Sequence, residues 1–299
     1  MTNVESRENR FADLEEYIRQ GEPEQAAKSA AWRTAIGLQD VDGLKTSDYL
    51  LETAKEHIEG KIDINTAQQQ IQAYYEARTD RASKEQDTKE ADVVSTRIAA
   101  LLGEDTFQFS PAEWQTIHKR LFTGIFDHAG EYRTCNISKK EWVLGGASVT
   151  YAAWESIRPT LEYDFNQEKQ FSYIRLPIQD AVRHISEFTS GIWQIHPFME
   201  GNTRSTAVFI IKYLKTFGFP VSNDIFAENA WYFRNALVRA NYNNYAKGVR
   251  ATTVYLERFF ENLLMGTDHA LKNRTMHLDY TEEPVQSAMV QNSKCKIAL

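Results

Sequence analysis

Residues 178–204 read IQDAVRHISEFTSGIWQIHPFMEGNTR, and the fold turns on them. In Ile178–Trp193 the apolar residues Val182, Ile185, Phe188 and Ile192 recur every three or four positions, which predicts a helix with one buried face. The chain then runs into His196-Pro197-Phe198-Met199-Glu200-Gly201-Asn202-Thr203-Arg204, after which a second apolar helix is predicted over Thr203–Phe217. A polar loop is therefore held between two core helices. The second helix presents its N-terminus to that loop, and first-turn N–H groups with the helix dipole bind phosphate oxygens. Gly201 removes the Cβ that would block an anion from the backbone. Asn202 and Arg204 add side-chain donors, and Glu200 can hold Mg²⁺ jointly with phosphate oxygens. His196 is the one group in the loop that accepts a proton near neutral pH, so it is the candidate general base. A base, a metal ligand, an anion nest and an arginine in one loop suit phosphoryl or nucleotidyl transfer.

Working outward, most of the chain is helical in period. Helices are predicted over Arg10–Arg19, Glu24–Ile36, Asp48–Ile58 and Ile64–Ala77, the last two forming a hairpin around Glu59-Gly60-Lys61. Ser110-Pro111-Ala112-Glu113 supplies a cap, a proline at the first helical position and an early acid, so a helix starts there. Later helices are predicted over Glu228–Asn241 and Arg250–Leu264. Arg78–Glu90 is charged and lacks large apolar residues, which suits a solvated helix or a linker. Trp142-Val143-Leu144, Gly145-Gly146 and Ala147–Tyr151 form the clearest strand signal, two β-capable runs about a tight turn. The class is all-α, with one small β-hairpin. The division expected is a helical N-terminal unit over 1–90, a core over 91–270 and a polar tail over 271–299.

Composition bounds the rest. Lys and Arg number 34 against 41 Asp and Glu, a net charge of −7, with 42% hydrophobic and 12% aromatic residues. The chain can bury a core and is not a disordered polymer. Acidity argues against non-specific nucleic-acid binding, which needs clustered Lys and Arg. Cys135 and Cys295 form no metal-ligand spacing, and no apolar run spans a bilayer. With a polar start lacking a signal-peptide pattern, a reduced cytoplasmic protein is expected. The remaining histidines, His118 among them, have no ligand spacing and read as core or surface residues.

The loop resembles the signature of the Fic family, His-Pro-Phe-x-(Asp/Glu)-Gly-Asn-(Gly/Lys)-Arg. Phe126–Arg133 is similar to the family's element ahead of its flap, and the Gly145-Gly146 hairpin stands where that flap belongs. The resemblance covers about residues 92–265. It implies a helical Fic core and transfer of AMP from Mg·ATP to a Tyr, Thr or Ser hydroxyl of a target protein; the chain's own hydroxyls, tethered at high effective concentration, are expected acceptors as well. On this reading His196 deprotonates the hydroxyl, and Phe198 lies beneath the loop. Glu200 holds Mg²⁺, Gly201 and Asn202 form the anion hole, and Arg204 binds the departing pyrophosphate side. Asn241 falls where the family has an Asn near adenine. The flap, Trp142, Val143, Leu144, Gly145 and Gly146 onward, would align a target peptide by strand addition.

Two departures qualify the resemblance. Thr203 stands where the family has Gly or Lys, and Ala207 stands where many members have a second Arg. That second Arg pairs in the family with the glutamate of an inhibitory helix. The N-terminal region resembles the antitoxin-like domain carrying such a helix, with Asp42 in the glutamate's place. Both halves of the pair are thus changed, which predicts an N-terminal domain packed on the core without strong Glu–Arg inhibition. Two rivals stay open: a Fic-fold transferase of phosphoryl or UMP groups, and a weakly active nucleotide- or protein-binding module. The sequence leaves a homo-oligomer open.

Overall fold

The computed structural model describes residues 14–77, 83–219 and 224–278. Its α-helices are α1 (14–20), α2 (Pro23–Gly37), α3 (Asp48–Ile58), α4 (Ile64–Glu76), α5 (Ser83–Gly103) and α6 (Pro111–Phe122). They continue with α7 (Ile157–Gln170), α8 (Ile178–Ile195), α9 (Asn202–Thr216), α10 (Asp224–Ala240) and α11 (Val254–Met265). Short 3₁₀ turns interrupt the connections, among them Leu38–Asp42, Trp142–Leu144 and Asn273–Met276. Local chemistry starts the helices where the sequence places them. Ser110 Oγ accepts the Glu113 N–H at 3.1 Å with Pro111 in the first turn, and Ser47 Oγ accepts the Leu50 N–H at 3.1 Å.

Helix α9 is the axis of the molecule: every residue from Asn202 to Leu214 is buried. A helix buried all round must bring partners for its polar side chains. Lys212 Nζ donates to the carbonyls of Leu101 and Glu104 at 2.8 Å, capping the C-terminal end of α5. Around α9 pack α5, α6 and α8, while α10 and α11 close the far side of α8. Helix α2 lies against α5 and α10, so the N-terminal helices share one continuous apolar cluster with the rest, from Leu14 to Met276. The boundary expected at residue 90 falls within α5, which runs unbroken from Ser83 to Gly103. Of the expected tail, residues 271–278 pack back, Leu278 N–H donating to Val143 O at 2.9 Å. The remainder, 279–299, and most of the helix expected over Arg10–Arg19 lie outside the described residues.

The expected β-hairpin is not formed, and no strand occurs among the described residues. Trp142–Leu144 is a 3₁₀ turn instead. Val143 and Leu144 are both fully buried, and consecutive residues cannot enter one core from a pleated strand, whose side chains alternate. Gly145 and Gly146 do take the positive φ expected, 62° and 91°. They close a loop on Glu141, whose carbonyl accepts Gly146 N–H and whose N–H donates to Ala147 O, both at 2.9 Å. Among the described residues no helix is long and apolar enough to cross a membrane.

Candidate functional site

Helix α8 ends at His196, which takes the left-handed conformation (φ 50°, ψ 59°) that few side chains adopt. Arg133 holds it there. This buried guanidinium donates to His196 O at 2.8 Å, Ile195 O at 3.2 Å, Cys135 O at 2.7 Å and Ala152 O, while its own N–H donates to Pro197 O at 2.8 Å. The His196 ring is buried, 3% exposed, and stacks on Tyr151 with centroids 4.1 Å apart. Its Nδ1 lies 3.2 Å from Trp193 O, a carbonyl that can only accept, so Nδ1 carries the proton and Nε2 keeps a lone pair. Burial holds the imidazole well below its ordinary pKa, and the charges of Lys139, Arg133 and Arg234 push the same way. His196 is therefore neutral at physiological pH.

Beneath the loop, Phe198 is fully buried as expected. Asn202 closes the turn over it: its Oδ1 accepts Phe198 N–H at 3.0 Å and its Nδ2 donates to Phe198 O at 2.7 Å. The phenyl ring stacks on His118 at 3.7 Å. His118 Nδ1 accepts Gly130 N–H and its Nε2 donates to Glu200 O, each at 2.9 Å, so a core histidine holds the loop from below. Thr203 is held as well, its hydroxyl accepting the Trp193 indole N–H at 3.0 Å. Gly201 enters α9 at φ 72°, and a Cβ there would stand 2.4 Å from Phe122 Cε2. Strain and overlap together make Gly201→Ala about 2–4 kcal/mol less stable, measured by thermal or urea unfolding.

The charged residues meet partners the sequence did not show. Arg204 is 2% exposed and donates to Gln39 Oε1 at 3.0 Å and Glu90 Oε1 at 2.6 Å, with Asp42 Oδ2 2.8 Å from its Nε. Its guanidinium also lies over the Phe122 ring, 4.8 Å from the centroid. Asp42, the residue in the inhibitory glutamate's place, faces Arg204 rather than position 207, where an alanine stands. Residues 204 and 207 are three apart on α9 and share a face, so the shorter Asp42 meets the arginine one turn nearer the loop. Glu200 is half exposed, with Lys139 Nζ 2.9 Å from its Oε2. Among the described residues no cluster of three or more His, Cys, Asp or Glu could hold a metal by itself. One carboxylate completed by phosphate oxygens and water is a donor set that Mg²⁺ takes, so Glu200 fits that role.

On the flap side, Glu141 is fully buried, its Oε2 2.8 Å from Arg234 Nη1 on α10 and its Oε1 accepting from the Tyr151 hydroxyl at 3.4 Å. The ring over His196 is thereby tied to both the turn and α10. Trp142, Gly145 and Gly146 are exposed at the rim. Asn241 turns inward, donating to Ser190 O at 3.1 Å and Leu237 O at 3.0 Å, and so braces α10 against α8. The structure thus gathers His196, Phe198, Glu200, Gly201, Asn202, Thr203, Arg204 and Asp42 around one loop. Arg133, Lys139, Glu141, Tyr151 and His118 join it from distant segments; Arg133 and Tyr151 lie in stretches the sequence marks, but nothing in the sequence ties any of the five to the loop.

Residues 108–214 match the model of the Fic/DOC family. Among solved structures, a Fic family protein from Desulfovibrio desulfuricans G20 aligns with a TM-score of 0.51 at 13% identity, over 87% of this chain and 71% of that one. The N-terminal Fic domain of a VirB-translocated effector from Bartonella sp. AR 15-3 aligns at 0.48 and 19% identity, over 61% and 83% of the two chains. That of Bep8 from Bartonella sp. 1-1C aligns at 0.48 and 18%, over 65% and 92%. The match to the Fic/DOC model spans residues 108–214, in a predominantly α-helical fold shared with the Desulfovibrio protein.

Proposed function

We propose that this Fic/DOC domain transfers AMP from Mg·ATP to a Tyr, Thr or Ser hydroxyl of a target protein, the chain itself included. Domains of this family generally move nucleotidyl or phosphate-containing groups. The observation that carries the finer reading is the state of His196: neutral, fixed in a left-handed turn, and keeping the Nε2 lone pair beside the N-terminus of α9. A base of this kind takes the proton of an attacking hydroxyl. The hydroxyl oxygen bonds to the α-phosphorus, the bond from that phosphorus to the bridging oxygen breaks, and pyrophosphate leaves with the electron pair. First-turn N–H groups of α9 face the developing charge, whereas the glycine at 201 is required by φ 72° and by the Phe122 ring that a Cβ would strike, not by an approaching anion as the sequence suggests. Mg²⁺ held through Glu200 would offset charge on the phosphates. Val143 and Leu144 are buried, so a target docks on Trp142 and the Gly145-Gly146 tip rather than on a strand edge.

The free chain holds Arg204 with Asp42 and Glu90, so phosphates must displace carboxylates to reach it. The test is incubation with α-labelled and, separately, γ-labelled ATP and Mg²⁺, beside His196→Ala. Label from the α position alone, falling at least about 100-fold in His196→Ala, is the expected result. Label from the γ position would make the protein a kinase. No label on the chain or on lysate proteins would leave a binding module.

A further inference from the structure

The cations around the loop are unequally committed. Arg133 is spent on four backbone carbonyls, Arg234 on the buried Glu141, and Arg204 on Asp42, Glu90 and Gln39. Lys139 differs from all three. Its ammonium meets one side chain, Glu200 at 2.9 Å, and the two side chains are 28% and 54% exposed. An ion pair that open to water is weak, so it exchanges readily. The main chain at this position is fixed, Lys139 N–H donating to Ser148 Oγ at 3.2 Å, while the four-carbon side chain is free to swing. Its charge also acts on the His196 ring and favours the neutral imidazole. It stands on the carboxylate of the same loop that carries the base four positions earlier.

A nucleoside triphosphate brings several negative charges to that loop. Ala207 offers no cation, and Arg204 begins with two carboxylates upon it. The carboxylate that holds Lys139 is the same group that fits a divalent cation. We propose that Lys139 is a phosphate-binding residue of the nucleotide site, passed from Glu200 to the phosphate chain when Glu200 turns to the metal. The inference rests on the reading of the loop as a nucleotide site and adds a residue to it from the flap side. Lys139 serves the free protein by neutralising Glu200 and the bound state by neutralising phosphate, so one cation covers both states.

The experiment is equilibrium binding by calorimetry to the full chain, in Mg²⁺, of AMP, α,β-methylene ADP and α,β-methylene ATP, which cannot be cleaved at the transfer bond. Lys139→Met is expected to bind the triphosphate analogue at least 10-fold more weakly, with a smaller loss for the diphosphate and none for AMP. Lys139→Arg restores most of the affinity. Unchanged binding of the triphosphate analogue by Lys139→Met overturns the proposal. Tighter binding overturns it too, since Lys139 would then only compete for Glu200. An equal loss for all three ligands would reduce Lys139 to a packing role and also overturns it. If the unaltered chain binds none of the three, the nucleotide reading itself fails; if it binds and Lys139→Met binds equally, only the role of Lys139 fails.

Discussion

Asp42→Asn combined with Glu90→Gln lowers the melting temperature of the free chain by about 6–12 °C, and Mg·ATP raises the melting temperature of this variant by more than it raises the parent's. The argument starts from the burial of Arg204, whose charge is compensated by two carboxylates at 2.8 and 2.6 Å. The amides keep the shape and can still accept hydrogen bonds, but the positive charge is left without an anion. Unpairing a fully buried charge costs about 3–5 kcal/mol. Asp42 is 38% exposed, so water screens part of the loss and the low end, about 3 kcal/mol, applies. For a chain of this size each kcal/mol moves the midpoint by about 2–4 °C. A phosphate chain supplies the missing anion only in the bound state. Ligand at about 100 times its dissociation constant adds about 2.7 kcal/mol, enough to offset most of the deficit. The measurement is differential scanning fluorimetry of parent and double variant across an ATP series. Equal ATP-induced shifts in both would show that Asp42 and Glu90 do not compete with phosphate for Arg204.

The same residues show what a sequence of this kind discloses. The helices were legible because their signal is local: a 3.6-residue period, a serine cap, a proline in the first turn. His196–Arg204 was legible because base, carboxylate, glycine and arginine fall within one short segment between two such helices. The turn at Trp142–Leu144 misled because Trp, Val and Leu have high β propensity, yet burying Val143 and Leu144 together demanded a tighter bend. The residues that fix the base were hidden for a different reason. Arg133 reaches His196 across 63 positions and Lys139 reaches Glu200 across 61, so no spacing rule connects them. Asp42 and Arg204 were each visible but assigned apart, since pairing them needs the relative height of Leu38–Asp42 and α9, which only packing supplies.

His118 carries the second large effect, and its sign follows from its two hydrogen bonds. Nδ1 accepts Gly130 N–H and Nε2 donates to Glu200 O, so the neutral ring is matched at both ends. A second proton on Nδ1 would set two donors against each other in a fully buried position. Burial accordingly lowers the pKa to about 4, with the Glu200 carbonyl opposing and the charges of His128 and Arg204 adding to the fall. The unfolded chain takes up this proton near pH 6.5, so below that pH it binds more protons than the folded one. The stabilisation from His118 is therefore complete above about pH 6.5 and is lost as the pH falls toward 4, about 3 kcal/mol in all. His196, depressed in the same direction, steepens the same limb. His118→Phe keeps a ring on Phe198 but leaves the Gly130 N–H and the Glu200 carbonyl without their partner. It is expected to be about 2–4 kcal/mol less stable at pH 7.5. Its stability should also fall less steeply with acid, by about one proton's worth or 1.4 kcal/mol per pH unit between pH 6 and 4.5. Urea unfolding at half-unit pH steps reads both quantities. An acid limb as steep in His118→Phe as in the parent would place the proton uptake elsewhere, and the loop would then owe its acid sensitivity to His196 alone.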